Sequence, residues 1–426
     1  MALHRTLGLP MLTFYGTGMI LGAGIYSIIG QAAGIAGQSL WQGFLLAGFA
    51  ALLTALSYAE LATMYPIAGG EYIYLRKAFK NQRWFAATTG IVVVFAGCAS
   101  AATVALAFTG YLQHFIALPR FTVAVGLLLL FTGINLLGIR QSSWTNAIFT
   151  FIEGSGLVLF IWLGWHRPEF GNALMTTPTL ATVSSAALII FAFLGFENIV
   201  SLAEETKNPE KNIPRAILLS LLISTTLYIL VSLAAVALMP TDELARTDSA
   251  ILEASLKSSS RIAGILGGIA LFSTANTVLI ALVTTSRILY GIAKDKSLPS
   301  ILSETRKTRK TPWVASLVSL TAAMLLLTVG KVEVLASIAS FTTMTVFVAI
   351  NFALIRLRRI EPHVNRPFRV PFAIGYVPLP ALIGIAVCVI FLFQFKSFVY
   401  LTGLSALAAS ALIYMLFSHF KKVQPQ

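Results

Sequence analysis

From Leu40 to Thr63 the chain carries one charged side chain, Glu60, and from Phe85 to Leu112 it carries none. Apolar runs of this kind recur along the whole length. A run of about 20 apolar residues crosses a hydrocarbon core about 30 Å thick as a helix. Over the 426 residues, 57% are hydrophobic and 11% charged, against roughly 25% charged in a soluble domain. Such a chain cannot cover a water-facing surface with charge. Short alternating segments, the mark of a membrane β-barrel, are missing. The expected class is an all-α polytopic membrane protein, with the lipid bilayer as its solvent.

The apolar runs predict spans at 8–34, 40–63, 85–112, 121–138, 144–165, 180–203, 214–239, 261–292, 313–330, 333–356, 375–395 and 398–419. That is about twelve helices. The residues at 1–12 have no small-residue cleavage pattern and read as the start of the first span. No soluble domain or low-complexity linker interrupts 1–426, so one membrane domain is expected.

The net charge of +14 suggests nucleic acid until its placement is read. With the N-terminus in the cytoplasm, most Lys and Arg fall on that side. Arg76, Lys77, Lys80 and Arg83 follow the second span; Lys207, Lys211 and Arg215 the sixth; Lys294 and Lys296 the eighth; Arg356, Arg358 and Arg359 the tenth. This is the positive-inside asymmetry of a membrane protein, so no nucleic-acid partner is expected. Both termini are placed in the cytoplasm, and the loop at 240–260 outside. The segment 69–84 mixes Tyr, Phe and Trp with Lys and Arg and reads as an amphipathic helix on the inner interface.

Catalytic and metal motifs are missing. Cys98 and Cys388 lie singly in apolar runs, and the five His are scattered, so no disulfide framework, metal site or cofactor is expected.

The first span contains "GTGMILGAGIY", with Gly16, Gly18, Gly22 and Gly24. Each glycine in a helix interior costs about 1 kcal/mol against alanine. A dinucleotide loop fails as the reason: its third glycine would fall at Leu21, and the first acidic residue, Glu60, is too far on. Gly18 and Gly22 fit a close helix–helix contact. Gly22-Ala23-Gly24 fits a helix broken at mid-membrane, whose second half begins with free N–H groups that suit a carboxylate. Carriers place such breaks at matching positions in two repeated halves. The sixth span offers the second, "IIFAFLGFENIVSLAEE", with Gly195 mid-span and Glu197 two residues on. Glu197 reads first as a support that caps the broken helix.

These segments, with "YPIAGGEYIY", "SLAEETKNPEKNIPRAI", "SRILYGIAKDKSLP" and "RPFRVPF", resemble the amino acid–polyamine–organocation superfamily of permeases across residues 16 to 371. The resemblance implies a LeuT-like fold of two inverted five-helix repeats, about 8–165 and 180–358, with discontinuous first and sixth helices. Two further helices lie at about 375–419. It implies a secondary carrier for an amino acid substrate, working by alternating access in the plasma membrane. Carried onto this chain, the substrate carboxylate meets N–H groups of Ala23, Gly24 and Ile25. Its ammonium meets carbonyls of Phe191, Ala192 and Leu194. Phe193 and Phe196 become aromatic neighbours, Phe196 with Gly195 and Glu197 supporting the break or gate. Asn208-Pro209 marks a turn and Pro214 opens the seventh helix. Glu204, Glu205 and Lys207 read either as a solvated helix end or as an inner-gate cluster.

Glu153 is the only ionisable group of the fifth span, close to mid-depth. A lone carboxylate there must be protonated, paired or hydrated. Many proton-coupled relatives resemble one another in carrying Lys at this place, so Glu is a departure that still leaves a titratable group. Three readings compete: a proton carrier, a sodium ligand with Ser273 and Thr274, and a neutral structural Glu. The proton is favoured, in symport or exchange. A sodium-coupled or uncoupled amine or polyamine exchanger, or a non-transporting nutrient sensor on the same fold, is the alternative. No acidic residue is evidently placed to read a cationic side chain, which favours neutral substrates.

Overall fold

The computed structural model describes residues 7–65, 70–137, 143–306 and 311–423, and only the backbone at 143–147, 201, 203–205 and 419–423. Expectations resting on Pro66 to Gly69, on Arg140, or on the side chains of Glu204 and Glu205 lie outside this description. The helices of the first half are α1 (Leu9–Leu21), α2 (Gly24–Ala36), α3 (Leu40–Met64), α4 (Gly70–Ala78), α5 (Arg83–Leu112), α6 (Arg120–Leu137), α7 (Ser143–Trp165) and α8 (Pro168–Leu174). There follow α9 (Leu180–Phe193), a 3-10 segment Phe196–Glu205, α10 (Pro209–Leu238), α11 (Thr241–Leu244), α12 (Ala250–Leu256) and α13 (Ser260–Lys294). The chain closes with α14 (Trp313–Leu327), α15 (Val332–Ile360), the hairpin β1 (Ala373–Ile374) and β2 (Val377–Pro378), α16 (Leu379–Leu392) and α17 (Ser397–Val423).

Among the described residues, nine helical stretches are long and apolar enough to cross a membrane. Three shorter apolar helices, Leu9–Leu21, Trp313–Leu327 and Leu379–Leu392, accompany them. The protein is therefore all-α and polytopic. Burial divides the helices by position. The apolar stretch of α5 is 67% buried, whereas those of α6 and α17 are 22% buried. Leu129, Leu130, Leu401, Leu404 and Leu412 are exposed, which suits helices whose outer face meets lipid. The centre holds aromatic side chains with polar tips, Tyr26, Tyr58, Tyr111 and Tyr228, all fully buried.

The two suspected interruptions are present in the backbone. Gly22 leaves the helix at φ 10, ψ −144, and α2 restarts after Ala23. The sixth span stops at Phe193; Leu194 is extended and Gly195 has φ +125. The four glycines of the first span each meet a different neighbour. A Cβ on Gly16 would collide with Ile199 and Ser220, on Gly18 with Thr150, on Gly22 with Thr277, and on Gly24 with Ala192. Close approach explains all four, and the interruption explains why two stand so near each other.

One expectation is corrected. The seventh span opens at Pro209, and Pro214 lies inside α10. Asn208 adopts the left-handed conformation (φ 46), and its carbonyl accepts from Lys211 and Asn212 N–H. The helix is therefore nucleated one turn before Pro214.

The α4 end of the bundle is bound by charge. Glu60, fully buried on α3, takes Arg358 Nε at 2.9 Å, Val370 N–H at 2.7 Å and an ion pair with Arg366 at 3.2 Å. The segment "RPFRVPF" is thereby pinned back onto α3. Lys80 pairs with Glu361 at 2.7 Å, and Arg76 of α4 with Asp295 beyond α13. At the opposite end His114, just after α5, meets Ser249 and Glu253 at 2.9 and 3.2 Å.

Candidate functional site

Both interruptions are built from backbone that has left its helix, so each exposes polar groups that need partners. Some find them within the protein. Ala23 N–H donates to Thr277 Oγ1 of α13 at 2.9 Å. The Tyr228 hydroxyl lies 2.7 Å from the Ile20 carbonyl and 3.1 Å from the Ala192 carbonyl. One phenol on α10 thus bridges the end of α1 and the end of α9. Gly195 N–H donates to Glu197 Oε2 at 2.9 Å. Glu197 thereby takes up one N–H at the break beside it. Gly195 cannot be replaced freely: its φ is left-handed, and a Cβ would stand 2.4 Å from the Met19 carbonyl oxygen.

Beside the interruptions lies a cavity of about 130 Å³. Met19 and Thr277 line it on the first-span side, and Leu194, Gly195 and Glu197 on the sixth-span side. Tyr58, Glu71 and Phe347 line it toward α4. Small residues of α5, Ala96, Gly97 and Ser100, leave the space open opposite them. Phe196 is fully buried behind this wall, edge-on to Tyr58 at 5.6 Å and against Phe347 at 5.4 Å.

The candidate residues are thus brought together only in part. Leu194, Gly195 and Glu197 line the cavity. Gly22, Ala23, Gly24 and Ile25 stand just behind it, Ala23 N–H already engaged and Gly24 against Ala192. Of the carbonyls assigned to the ammonium, Phe191 accepts from Leu194 N–H and Ala192 faces Tyr228. Phe193 packs edge-on to Tyr228 at 5.3 Å, away from the cavity.

Glu153, on α7, lies outside the cavity lining. It is 1% exposed. Its Oε1 and the Ser273 Oγ each have no hydrogen-bond partner among the described residues. The serine is near enough to act on the carboxyl but not in hydrogen-bond geometry. Ser273 and Thr277 are four residues apart and share one face of α13. That face joins Glu153 to the first break. Thr274 turns its hydroxyl back to the Ala270 carbonyl at 2.7 Å.

Tyr58, Glu71, Tyr228, Thr277 and Phe347 were not legible as site residues. Glu71 carried the one available signal, a carboxyl set directly after a Gly-Gly pair in an otherwise basic segment.

The chain matches the family described as amino acid permease over residues 7–419. The branched-chain amino acid permease BcaP of Bacillus subtilis (strain 168) is 30% identical, over 98% of this chain and 94% of that protein. The methylthioribose transporter of the same organism is 29% identical with the same coverage. The vacuolar cationic amino acid transporter 2 of Arabidopsis thaliana is 30% identical, over 84% of this chain and 61% of that protein.

Proposed function

The chain belongs to the amino acid permease family, and from that premise we propose that it is a secondary carrier, moving amino acids by alternating access with protons as the coupling ion. It is a permease and not an enzyme. The observation that carries the proposal is a cavity lined by the second interruption, at Leu194 and Gly195, and by Thr277, which accepts the N–H of Ala23 from the first. Irregular backbone at membrane depth is tolerated where it lines a cavity, and such interruptions are the binding elements of carriers.

The proposed topology has twelve spans: α1–α2, α3, α5, α6, α7, α9 with its 3-10 extension, α10, α13, α14, α15, α16 and α17. They form two inverted five-helix repeats, of which α1–α2 and α9 with its 3-10 extension are the matching broken members, and two further helices. The Lys and Arg distribution puts the α4 end and both termini in the cytoplasm, and the membrane is the plasma membrane.

The substrate carboxylate is assigned to the start of α2, at Gly24 and Ile25 N–H, since Thr277 holds Ala23. A helix start in low dielectric favours an anion. The ammonium is assigned to the end of α9 at Leu194, where carbonyl dipoles favour a cation. Glu153 is assigned the coupling proton.

Reconstituted protein tests the reading. Liposomes loaded with unlabelled amino acids should accumulate external radiolabelled amino acid by counterflow. Failure to exchange any member of an amino-acid panel overturns it.

A further inference from the structure

The cavity wall carries two carboxyls, Glu71 and Glu197, and no Lys, Arg or His among the described residues that line it. They come from different elements, α4 and the 3-10 segment after α9. Each accepts a hydrogen bond from a described neighbour. Tyr58 donates its hydroxyl to Glu71 Oε1 at 3.0 Å, and Gly195 donates its N–H to Glu197 Oε2 at 2.9 Å. A carboxylate accepts at two oxygens, so each keeps capacity toward the space between. The two are near enough for their charges to act on each other. The nearby cations are engaged elsewhere, Arg76 with Asp295 and Lys80 with Glu361.

A second observation is independent of the acids. Thr285 and Thr343 line the same cavity and are 3% and 8% exposed. Neither hydroxyl makes a hydrogen bond with another described residue, although helical threonines commonly bond back to a carbonyl one turn earlier. These two hydroxyls are therefore open to a polar guest in the cavity.

We propose that the cavity reads a second positive charge on its substrate, so that the cargo is a basic amino acid whose side-chain ammonium or guanidinium sits between Glu71 and Glu197. This rests on the carrier reading above. Two like charges in a confined space oppose each other, and a cationic group placed between them relieves that repulsion. Tyr58 and Glu197's bond to Gly195 hold the carboxyls in place for it. The α-carboxylate and α-ammonium remain at the two helix breaks, so the substrate spans from the breaks toward α4. Neutral substrates, which the sequence favours, leave both carboxyls without a partner. Burial also holds the Glu71 carboxyl above the usual carboxylate range, as expected of an acid lacking a counter-ion.

Lysine and norleucine differ in side chain by the terminal ammonium and form a matched pair. In counterflow with radiolabelled forms, wild-type protein should prefer lysine by about tenfold or more, the penalty a polar pocket imposes on an analogue that leaves it unpaired. Glu71→Gln should lose about tenfold on lysine and stay within about twofold on norleucine. Retained norleucine exchange shows that the variant folds. If E71Q loses both substrates, Glu71→Asp decides: a lysine preference kept by E71D supports the assignment, and equal exchange overturns it. Wild-type protein that exchanges norleucine as well as lysine overturns this inference and leaves the carrier standing. Protein that exchanges neither overturns both.

Discussion

Thr277 Oγ1 accepts the Ala23 N–H at 2.9 Å, and that bond ties the first helix break to α13. The same threonine lines the cavity. It therefore stands between the space where substrate is proposed to sit and the backbone proposed to hold it. Thr277→Val keeps the shape and removes the acceptor. A buried N–H left unsatisfied costs about 1–3 kcal/mol. Substrate affinity should fall by about tenfold or more, while Thr277→Ser retains it. Equilibrium binding to detergent-solubilised protein measures both variants. Wild-type affinity in T277V removes Thr277 from the site.

The glycines at the breaks make a sharper demand. A Cβ at Gly24 would stand 2.6 Å from Ala192 Cα, and one at Gly195 2.4 Å from the Met19 carbonyl oxygen. Backbone cannot yield as a flexible side chain does. Gly22→Leu and Gly24→Leu should abolish binding while the protein still inserts, because a continuous helix remains compatible with the bilayer. Gly195→Ala adds a left-handed φ to the collision and should lower thermal stability as well. Size-exclusion profiles and binding of the three variants test this, and a Leu variant with normal affinity contradicts the broken-helix site.

Glu60 and Arg358 predict a stability effect remote from the cavity. Both are buried, and Val370 N–H and Arg366 converge on the same carboxylate. Removing one member of a buried pair strands the other, at about 3–5 kcal/mol. Glu60→Gln and Arg358→Met should each lower the melting temperature markedly. Their double variant should be less damaged than the two single effects added together. Additive losses would show that the pair is not coupled.

Orientation is checked at the loop between α10 and α13. The span pattern points to Ser249 as a labelling position, but that residue is 2% exposed and bonded to Thr247 and His114. Lys257 is open to solvent, paired only at its tip with Glu243. In a background lacking Cys98 and Cys388, Lys257→Cys should react with an impermeant maleimide from outside intact cells. Reaction only after permeabilisation reverses the topology.

What could be read in advance follows from how local each signal is. The helices were legible because apolar runs bounded by charge must cross a bilayer as helices. The breaks were legible because Gly22-Ala23-Gly24 and Leu194-Gly195 are bad helix sequence in good helix surroundings. The start of α10 was missed by a turn because Asn208 nucleates it through a left-handed conformation, which Asn tolerates but does not announce. The cavity wall was missed for a different reason. Tyr58, Glu71 and Phe347 come from three different helices, the last far from the other two in sequence, and nothing local marks which side chain will face a shared space. Glu60 read as a stray acid in an apolar run, because its partners Arg358 and Val370 lie some three hundred residues away.

The coupling proton is assigned to Glu153, and its surroundings make the assignment testable. The carboxyl is almost completely buried on α7, and one of its oxygens lacks a hydrogen-bond partner among the described residues. Ser273 faces it from α13 with a hydroxyl that is equally unengaged. An ionised carboxylate in that setting is costly, so uptake of a proton stabilises the site and its release has to be coupled to a rearrangement. Thr277, one turn along the same face of α13, holds the first break. A change in the Glu153–Ser273 contact therefore reaches the substrate backbone through one helix face. A sodium ion would call on the Thr274 hydroxyl too; that group donates to the Ala270 carbonyl and keeps its oxygen lone pairs, so the driving gradient decides between the two ions. Glu153→Gln keeps the shape and removes titration. In proteoliposomes with an imposed pH gradient, inside alkaline, wild-type protein should concentrate substrate. The Gln variant should lose that accumulation and retain counterflow exchange. Ser273→Ala should shift the pH dependence of uptake without abolishing it. A Gln variant that still concentrates substrate in response to the proton gradient ends the assignment. Accumulation that follows a sodium gradient instead returns Glu153 to the sodium reading.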